Sequence, residues 1–561
     1  MILSSGVPVP SVRAVLRQLR VSRARFDARA AAVCRDALDR ISGTPLRTVR
    51  QLLDYHDDLL FLCAFPHSLE SRRAAIQQLN TFALRWRGLR EIQRRAAGSG
   101  IAGTVSRPPI SWPVAEAWIP QEDIDIEWDD LTDASAFDAL VGELLGVVER
   151  ESYESGDYTT REWIALASRP GERAAAWLVR EASTRTPPRF LEAWDAAQVP
   201  LRWALGDSPR STTHARHRLT PVLRQSFRRL EQPLAAHVAI PLEDVRLLTP
   251  ARAAPIIELA RSALAVRGRE VHAMNHPNGA EVYLVDLGEG VRLALIGVAP
   301  EQRLSLEANY GYLLMSNGVP IGYGGVSPLY RQANTGINVF DAFRGSEATF
   351  LWGQTLRAFR SLFGVRRFVI NGYQFGAGNS EAIASGAYWF YYRLGFRPGL
   401  AEDADLAEQE AARLRRHPAT RTSAAVLRRL ARGDLHLDLA DFDASDYFEE
   451  SLLSRIGAVV ARRIAASAAP SHRDGEAALV DDTVRALGIG RVPAVARRTL
   501  ARLAPVAALL DLERWSEAER RSLGAWLQLK GDAQERDFAL GATKQSRFFR
   551  ELQSGVSSEG Q

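Results

Sequence analysis

Residues 336–372, GINVFDAFRGSEATFLWGQTLRAFRSLFGVRRFVING, and residues 387–398, AYWFYYRLGFRP, decide the fold. The first stretch reads as strand, turn, helix, strand: an extended run to Phe343, a turn at Arg344-Gly345, a helix over 347–363 and a strand from Val365 to Asn371. In that helix Trp352, Leu356, Phe359 and Phe363 recur at i, i+4, i+7 and i+11, with Arg357 and Arg360 off the stripe, so it lies on a sheet. Ser346 suits the N-cap. A strand feeding a helix N-terminus through Arg-Gly offers free N–H groups and the positive end of a dipole, which together favour a phosphate. In the second stretch and the residues before it, Ile383, Ala387, Phe390, Tyr391 and Leu394 share a helical face, and Gly395 stops the helix before a last strand.

Outward from these stretches, a helix over about 249–268 precedes two hairpin signals. AEVYLVDL and VRLALIGVA flank Gly288-Glu289-Gly290; ANYGYLLM and VPIGYGGVS flank Ser316-Asn317-Gly318. Asn-Gly between alternating apolar runs is a strong hairpin signature. A meander followed by two strand-helix units predicts an α+β fold, helices on a mainly antiparallel sheet.

With Ala387, Tyr391, Leu394, Gly395 and Phe396 in register and the Arg344-Gly345 turn before a helix, the sequence resembles the GCN5-related N-acetyltransferase (GNAT) superfamily over about residues 250–400. The resemblance implies an acyl-CoA co-substrate, acetyl-CoA among them, and an amine acceptor on a small molecule or a protein. It implies that Arg344, Gly345, Ser346, Glu347 and Ala348 hold the coenzyme A pyrophosphate, with Asn379 matching the family's asparagine before the last helix. A bifurcating strand pair at 336–343 and 365–371 would hold the pantetheine arm, and Tyr391 would protonate the leaving thiolate. Glu347 and Thr349 stand where the family has small residues. A first-turn carboxylate about 4 Å from a phosphate is expected to repel it by roughly 1–4 kcal/mol. Asn379 lies sixteen residues before Gly395, about five more than usual, so a longer helix or a bulged loop is expected.

An amine nucleophile needs a base. Asp341, three residues before Arg344, is the natural carboxylate, with a water, Glu307 or Glu381 as alternatives; a salt bridge to a neighbouring arginine is its plain structural role. Eight of the thirteen tyrosines fall between 310 and 392, and Tyr323, Tyr373 and Tyr388 are candidates for a polar cleft.

The chain divides into a mainly helical region 1–240 with a short acidic strand, the GNAT-like region 241–400 and a helical region 401–561 in which GDLHLDLADF (433–442) is the strand-like exception. Residues 1–100 carry 17 arginines against 8 acids, residues 101–150 carry 2 against 11, and such neighbours neutralise each other. Ile124, Ile126 and Trp128 mark a half-buried strand, and helices are expected near 134–150, 160–183 and 210–230. Of 71 basic residues only Lys530 and Lys544 are lysine, which explains a pI of about 9.3 at a net charge of only +5. High pI is therefore no argument for nucleic acid, and none is expected as a partner; the arginine bias points to a GC-rich bacterium. Cys34 and Cys63 are expected to be buried thiols in a reducing compartment. The arginine-bearing N-terminus lacks a signal-peptide core and no apolar run is long enough to span a membrane, so a cytoplasmic address is expected. His214 and His217 lack zinc spacing, no metal is expected, and Tyr55-His56-Asp57-Asp58 reads as a solvated helix edge. Oligomeric state is left open. Two other readings fit the same stretch: a degenerate GNAT-like fold serving as a ligand-sensing or protein-interaction scaffold, and a relative of the aminoacyltransferases that use aminoacyl-tRNA.

Overall fold

The computed structural model describes residues 11–185, 190–490 and 494–558; the first ten residues of the arginine-bearing N-terminus lie outside them. Three short strands, β1 (Val105–Ser106), β2 (Ile124–Ile126) and β3 (Leu201–Ala204), form a small sheet with β3 central. The main sheet comprises β4 (Val245–Leu247), β5 (Pro277–Gly288), β6 (Val291–Val298), β7 (Tyr310–Ser316), β8 (Val319–Leu329), β9 (Gln332–Thr335), β10 (Asn338–Val339), β11 (Arg367–Ile370), β12 (Arg397–Pro398) and β13 (Leu435–Asp438). Its order is β12-β13-β11-β9-β8-β7-β6-β5-β4, with β10 also on β8. The architecture is thus α+β around an open sheet, antiparallel except where β11 runs parallel to β9.

Both hairpin signals are turns. Asn317 (φ 47°) and Gly318 (φ 80°) take the left-handed conformation that matches strand twist in a two-residue loop. Glycine is required at 318, because a Cβ there would collide with the His217 carbonyl, and the His217 N–H donates to the Gly318 carbonyl at 2.8 Å. The Asn317 amide, fully buried, donates to the carbonyls of Ala64 and Val222 and accepts from the Val222 N–H, so this turn pins the N-terminal helices to the sheet.

Helices cover both faces. Tyr310 and Tyr312 of β7 set their rings against Phe363 and Phe359 of helix Ala348–Phe363, at 4.7 and 5.6 Å. Gly311 turns the other way, onto Val271, Ala273 and Met274. One apolar cluster runs from Val15 and Leu19 through β6, β7 and helix Ala348–Phe363 to Leu435 and Leu437. The N-terminal helices therefore share a core with the sheet. A second cluster, Ile110 to Leu205, belongs to the module built on β1 to β3, and a third gathers the helices beyond Phe448.

Several expectations change. GDLHLDLADF supplies β13, which inserts between β11 and β12 and so belongs to the sheet, not to the helices around it. Residues 210–230 contain no helix, because their backbone groups are used elsewhere: Thr212 N–H to Gly100, His217 N–H to Gly318 and Arg224 N–H to Pro66, as a strap over the helix-sheet junction. Helix 134–150 is two, Ala134–Gly142 and Val147–Glu154, and 160–183 is broken at Pro170-Gly171 into Thr160–Ala167 and Ala174–Arg185. Tyr55, His56 and Asp58 are buried, not a solvated edge, since helix Val49–Ala64 is covered by neighbouring elements along its length, with only Arg50 exposed. Cys34 and Cys63 are free and buried. Among the described residues no helix is long and apolar enough to cross a membrane.

The C-terminal helices are tied to the sheet by buried charge. Lys530 pairs with Glu535 at 2.5 Å, Glu535 reaches Arg303 at 3.9 Å and Arg303 meets Glu281 at 3.4 Å, all four side chains excluded from solvent. Tyr310 and the Arg536 N–H also donate to Glu281. Removing one member leaves a buried charge unmatched, so Glu535→Ala is expected to cost about 3–5 kcal/mol. Denaturant unfolding reads this directly; a loss below about 1 kcal/mol would contradict the assignment.

Candidate functional site

The ladder between β9 and β11 stops early. β9 and β10 form one run along β8 in a single register: Thr335 faces Val326, Asn338 faces Tyr323, and the Phe340 N–H donates to the Ile321 carbonyl at 3.0 Å. β11 accompanies that run only at Gln332, Ala333 and Asn334, then turns into the 3-10 segment Gly372–Phe375. The strand edge it abandons, with Ile337, Asn338 and Val339, opens onto a cavity of about 1880 Å³. The start of helix Ala348–Phe363 and the segment 378–394 form two more walls, and helix Val49–Ala64 lays Leu53, His56, Asp57 and Leu60 along a fourth.

The expected strand 336–343 ends at Val339, and Asp341–Phe343 is a 3-10 turn. Phe343 causes the bend: its ring packs on Phe61 and Phe65 of the N-terminal helix, and Arg23 donates to the Ala342 carbonyl. Asp341 is consequently carried to the cavity mouth, 77% exposed and paired with Arg344 at 2.9 Å, the plain salt bridge. Arg344 also meets Glu381 at 3.4 Å. Arg357 donates to the Ile240 and Pro241 carbonyls, and Arg360 pairs with Asp441, so neither faces the site.

Glu347 is the main correction. Its carboxylate does not lie among the first-turn amides but points into the core, 3% exposed, accepting from Arg224 Nη2 at 2.5 Å and from the Arg228 N–H at 2.9 Å. It neutralises a fully buried arginine and anchors the 210–230 strap, so the expected repulsion is removed by orientation. Ser346 does not cap the helix: its hydroxyl donates to the Phe343 carbonyl at 2.7 Å and Glu347 holds the N-cap position. Gly345 has φ 82° and open space where a Cβ would be. Of the expected anion-holding group, Arg344, Ala348 and Asn379 border the cavity, joined by Thr349, whereas Gly345, Ser346 and Glu347 do not. The side chain of Asn379 caps helix Ser380–Ser385 through the Ala382 N–H and donates to the Tyr373 carbonyl. The surplus residues before Gly395 are a break at Gly386 (φ 68°), from which Ala387–Arg393 starts afresh.

Tyr391 stands on the cavity wall, 3% exposed, its ring edge-on to Trp352 and Phe396. Burial pushes its hydroxyl up to about 12, opposed by the amide of Ile337, so it carries its proton at neutral pH and faces the abandoned strand edge. Tyr323 borders the cavity, stacked on Phe340 at 5.5 Å; Tyr373 lies at its rim, while Tyr388 is buried away from it. Glu307 is distant, at the Lys530 end of the sheet.

Three cavity residues are not among those the sequence points to: His56 and Asp57, which read there as a solvated helix edge, and Arg267. His56 accepts or donates to Thr213 Oγ1 at 3.0 Å and is held neutral, its imidazole pushed down to about 3 by burial and by Arg267 and Arg216. Asp57 has no hydrogen bond or ion pair among the described residues, and burial pushes it up to about 7 against the pull of Arg23, Arg20 and Arg267 and with the push of Asp58. Arg267 follows helix Pro250–Ala265 and faces the same space. The unbroken apolar run LLFLCAF that follows them in the same helix was the signal for the first two, since a helix with no polar face there is interior; nothing local marks Arg267. Among the described residues no group of three His, Cys, Asp or Glu is arranged to hold a metal. Comparison with family models, curated proteins and solved structures gave no match.

Glu347→Gly should cost about 3–5 kcal/mol by stranding Arg224, with no gain in anion affinity; a stable variant that binds coenzyme A more tightly would contradict the geometry. Asp57 keeps its proton in the fold to about pH 7 but in the unfolded chain only to the ordinary carboxylate range near 4. The folded state then binds more protons between those values, so its stability falls as pH rises through that window. Asp57→Asn should therefore stabilise by about 1–3 kcal/mol at pH 8 and by little at pH 4; equal effects at both would refute the interior placement.

Proposed function

We propose that the protein is an acyl-CoA-dependent N-acyltransferase with a GNAT-like sheet, passing an acyl group to an amine. The observation that carries this is a parallel strand pair that parts after Asn334, with the protonated Tyr391 facing the gap.

The residues suit such a co-substrate. Along 335–340 the edge that β11 leaves has no strand beside it, only side chains such as Tyr312 at the Gly336 carbonyl and Arg344 at the Val339 carbonyl, so an amide-bearing arm can lie along it as a further strand would. The first-turn amides at 348–350 have no earlier carbonyl to reach, and the one carboxylate beside them, Glu347, is turned inward, leaving the dipole end to a phosphate. Arg344 borders the mouth, where it is shared between Asp341 and Glu381 and would reach a phosphate only by exchanging one of them. When bound, an acyl-CoA supplies a thioester carbonyl activated towards amines.

The chain's own groups manage protons. An ammonium loses one proton before its lone pair adds to the acyl carbon, and a carboxylate on the wall takes it to solvent. The C–N bond forms and the C–S bond breaks; Tyr391 gives its proton to the departing sulfur and regains one from the new amide nitrogen. Two protons leave the nitrogen, one ending on the thiol and one in solvent. Asp341, exposed and paired, is the weaker base; Asp57, interior and unpaired, is the better placed.

The scaffold reading is favoured by one feature, that Asn379 and Arg344 already have partners. Acetyl-CoA or coenzyme A at millimolar concentration should raise the melting temperature, and Tyr391→Phe should lower kcat about 10²- to 10⁴-fold with coenzyme A affinity unchanged. Binding without turnover of any amine would favour a ligand-sensing scaffold; no thermal shift in a folded protein would refute the acyltransferase reading.

A further inference from the structure

Two half-buried ionisable groups of opposite sign border the cavity, and neither has an ion-pair partner among the described residues. Of the buried and half-buried arginines, Arg85 and Arg261 are spent on backbone carbonyls and Gln78, while Arg23, Arg224, Arg303 and Arg331 each meet a carboxylate. Arg267 meets none within 4.0 Å among the described residues, and its one hydrogen bond runs from Nη1 to the Ala263 carbonyl, 2.6 Å away. Its guanidinium lies 3.9 Å from the centre of the Phe340 ring, which also stacks with Tyr323. The ring supports the cation, and the N–H groups not spent on Ala263 are left for something planar or multidentate. Burial lowers its basicity to about 10, which still leaves it charged at neutral pH.

Across the same space stands Asp57. Its neighbour Asp58 takes both Arg20 and Arg23, so those cations are engaged. Asp57 and Arg267 feel each other's field yet form no ion pair, both bordering the cavity rather than closing on each other. Unmatched interior charges are costly unless a ligand completes them. A neutral ligand would complete neither, and a simple amine or a simple anion only one.

We infer that the acceptor is a small amine that also bears an anionic group, a carboxylate or a phosphate, with Arg267 holding the anion and Asp57 receiving the ammonium. This rests on the acyltransferase reading for its chemistry, but the zwitterion site can be tested without it. Asp57 then takes the proton that the ammonium must lose, and Arg267 is a specificity determinant that makes no contact with the reacting carbonyl. Helix Val49–Ala64 becomes the acceptor half of the active site.

The test uses the full chain with acetyl-CoA and thiol release as readout. The acceptors are the individual L-amino acids, O-phosphoethanolamine, ethanolamine and putrescine. Turnover with amino acids or O-phosphoethanolamine but not with ethanolamine or putrescine is expected, and whichever anion succeeds identifies the group that Arg267 reads. Arg267→Met should raise KM for that acceptor tenfold or more with kcat changed much less, Arg267→Lys should recover part of the loss, and coenzyme A binding should stay as in the wild type. Calorimetry with the same acceptors in the absence of any acyl donor separates the two readings. Zwitterion binding that Arg267→Met abolishes supports the site even if no transfer occurs. Transfer to ethanolamine or putrescine as efficient as to their anionic counterparts, or a KM indifferent to Arg267→Met in a variant that melts normally, overturns it. So does calorimetry showing no binding of any anionic amine.

Discussion

Two parallel strands that part inside a protein leave one of them with backbone groups that no neighbouring strand satisfies, and such groups are not tolerated in an apolar interior. The run from Gln332 to Phe340 is held in register by β8 along one edge and by β11 along only three residues of the other. The remainder must meet solvent, a side chain or a ligand. The cavity, the position of Tyr391 and the arrangement of helix Val49–Ala64 all follow from that parting. What makes the space a site rather than a crevice is that the N-terminal helices, which share a core with the sheet, roof it with charged side chains.

Charge placement shows how the fold protects this opening. Glu347 is the residue that should spoil a phosphate-holding helix start, and it is spent on Arg224 in the core. The same pair, with Asn317, fastens the 210–230 strap over the junction between the helices and the sheet. At the far end of the sheet, Glu281, Arg303, Glu535 and Lys530 do the equivalent for the C-terminal helices. Buried ion pairs of this kind add little net stability but are costly to break, so they specify which surfaces meet. Most of the arginines lie on the surface, a few such as Arg224 and Arg303 fix interfaces, and Arg267 borders the cavity with no acid in ion-pair reach among the described residues.

The hairpins, the helix of 348–363 and the following strand were legible because their periodicity and turn residues are local properties. Tyr391 was legible by its register with Gly395 and Phe396. What escaped the sequence was set by distant partners. Phe343 bends its strand because Phe61 and Phe65 wait for it, nearly three hundred residues earlier. Glu347 faces inward because of Arg224, and residues 210–230 forgo a helix because Gly100, Pro66 and Gly318 take their backbone bonds. The wall formed by helix Val49–Ala64 escaped for the same reason: Asp57 and Arg267 are 210 positions apart in the chain and line one cavity only once the helices close over the sheet.

Hydrogen exchange with and without saturating coenzyme A tests the central claim most directly, because it reads the abandoned strand edge itself. Slowed exchange is expected for the amides of 335–340 and of the first helical turn at 348–350, with the β5-β6 hairpin unchanged. Coenzyme A that binds while leaving both segments as fast as in the free protein would place the ligand elsewhere and contradict the account.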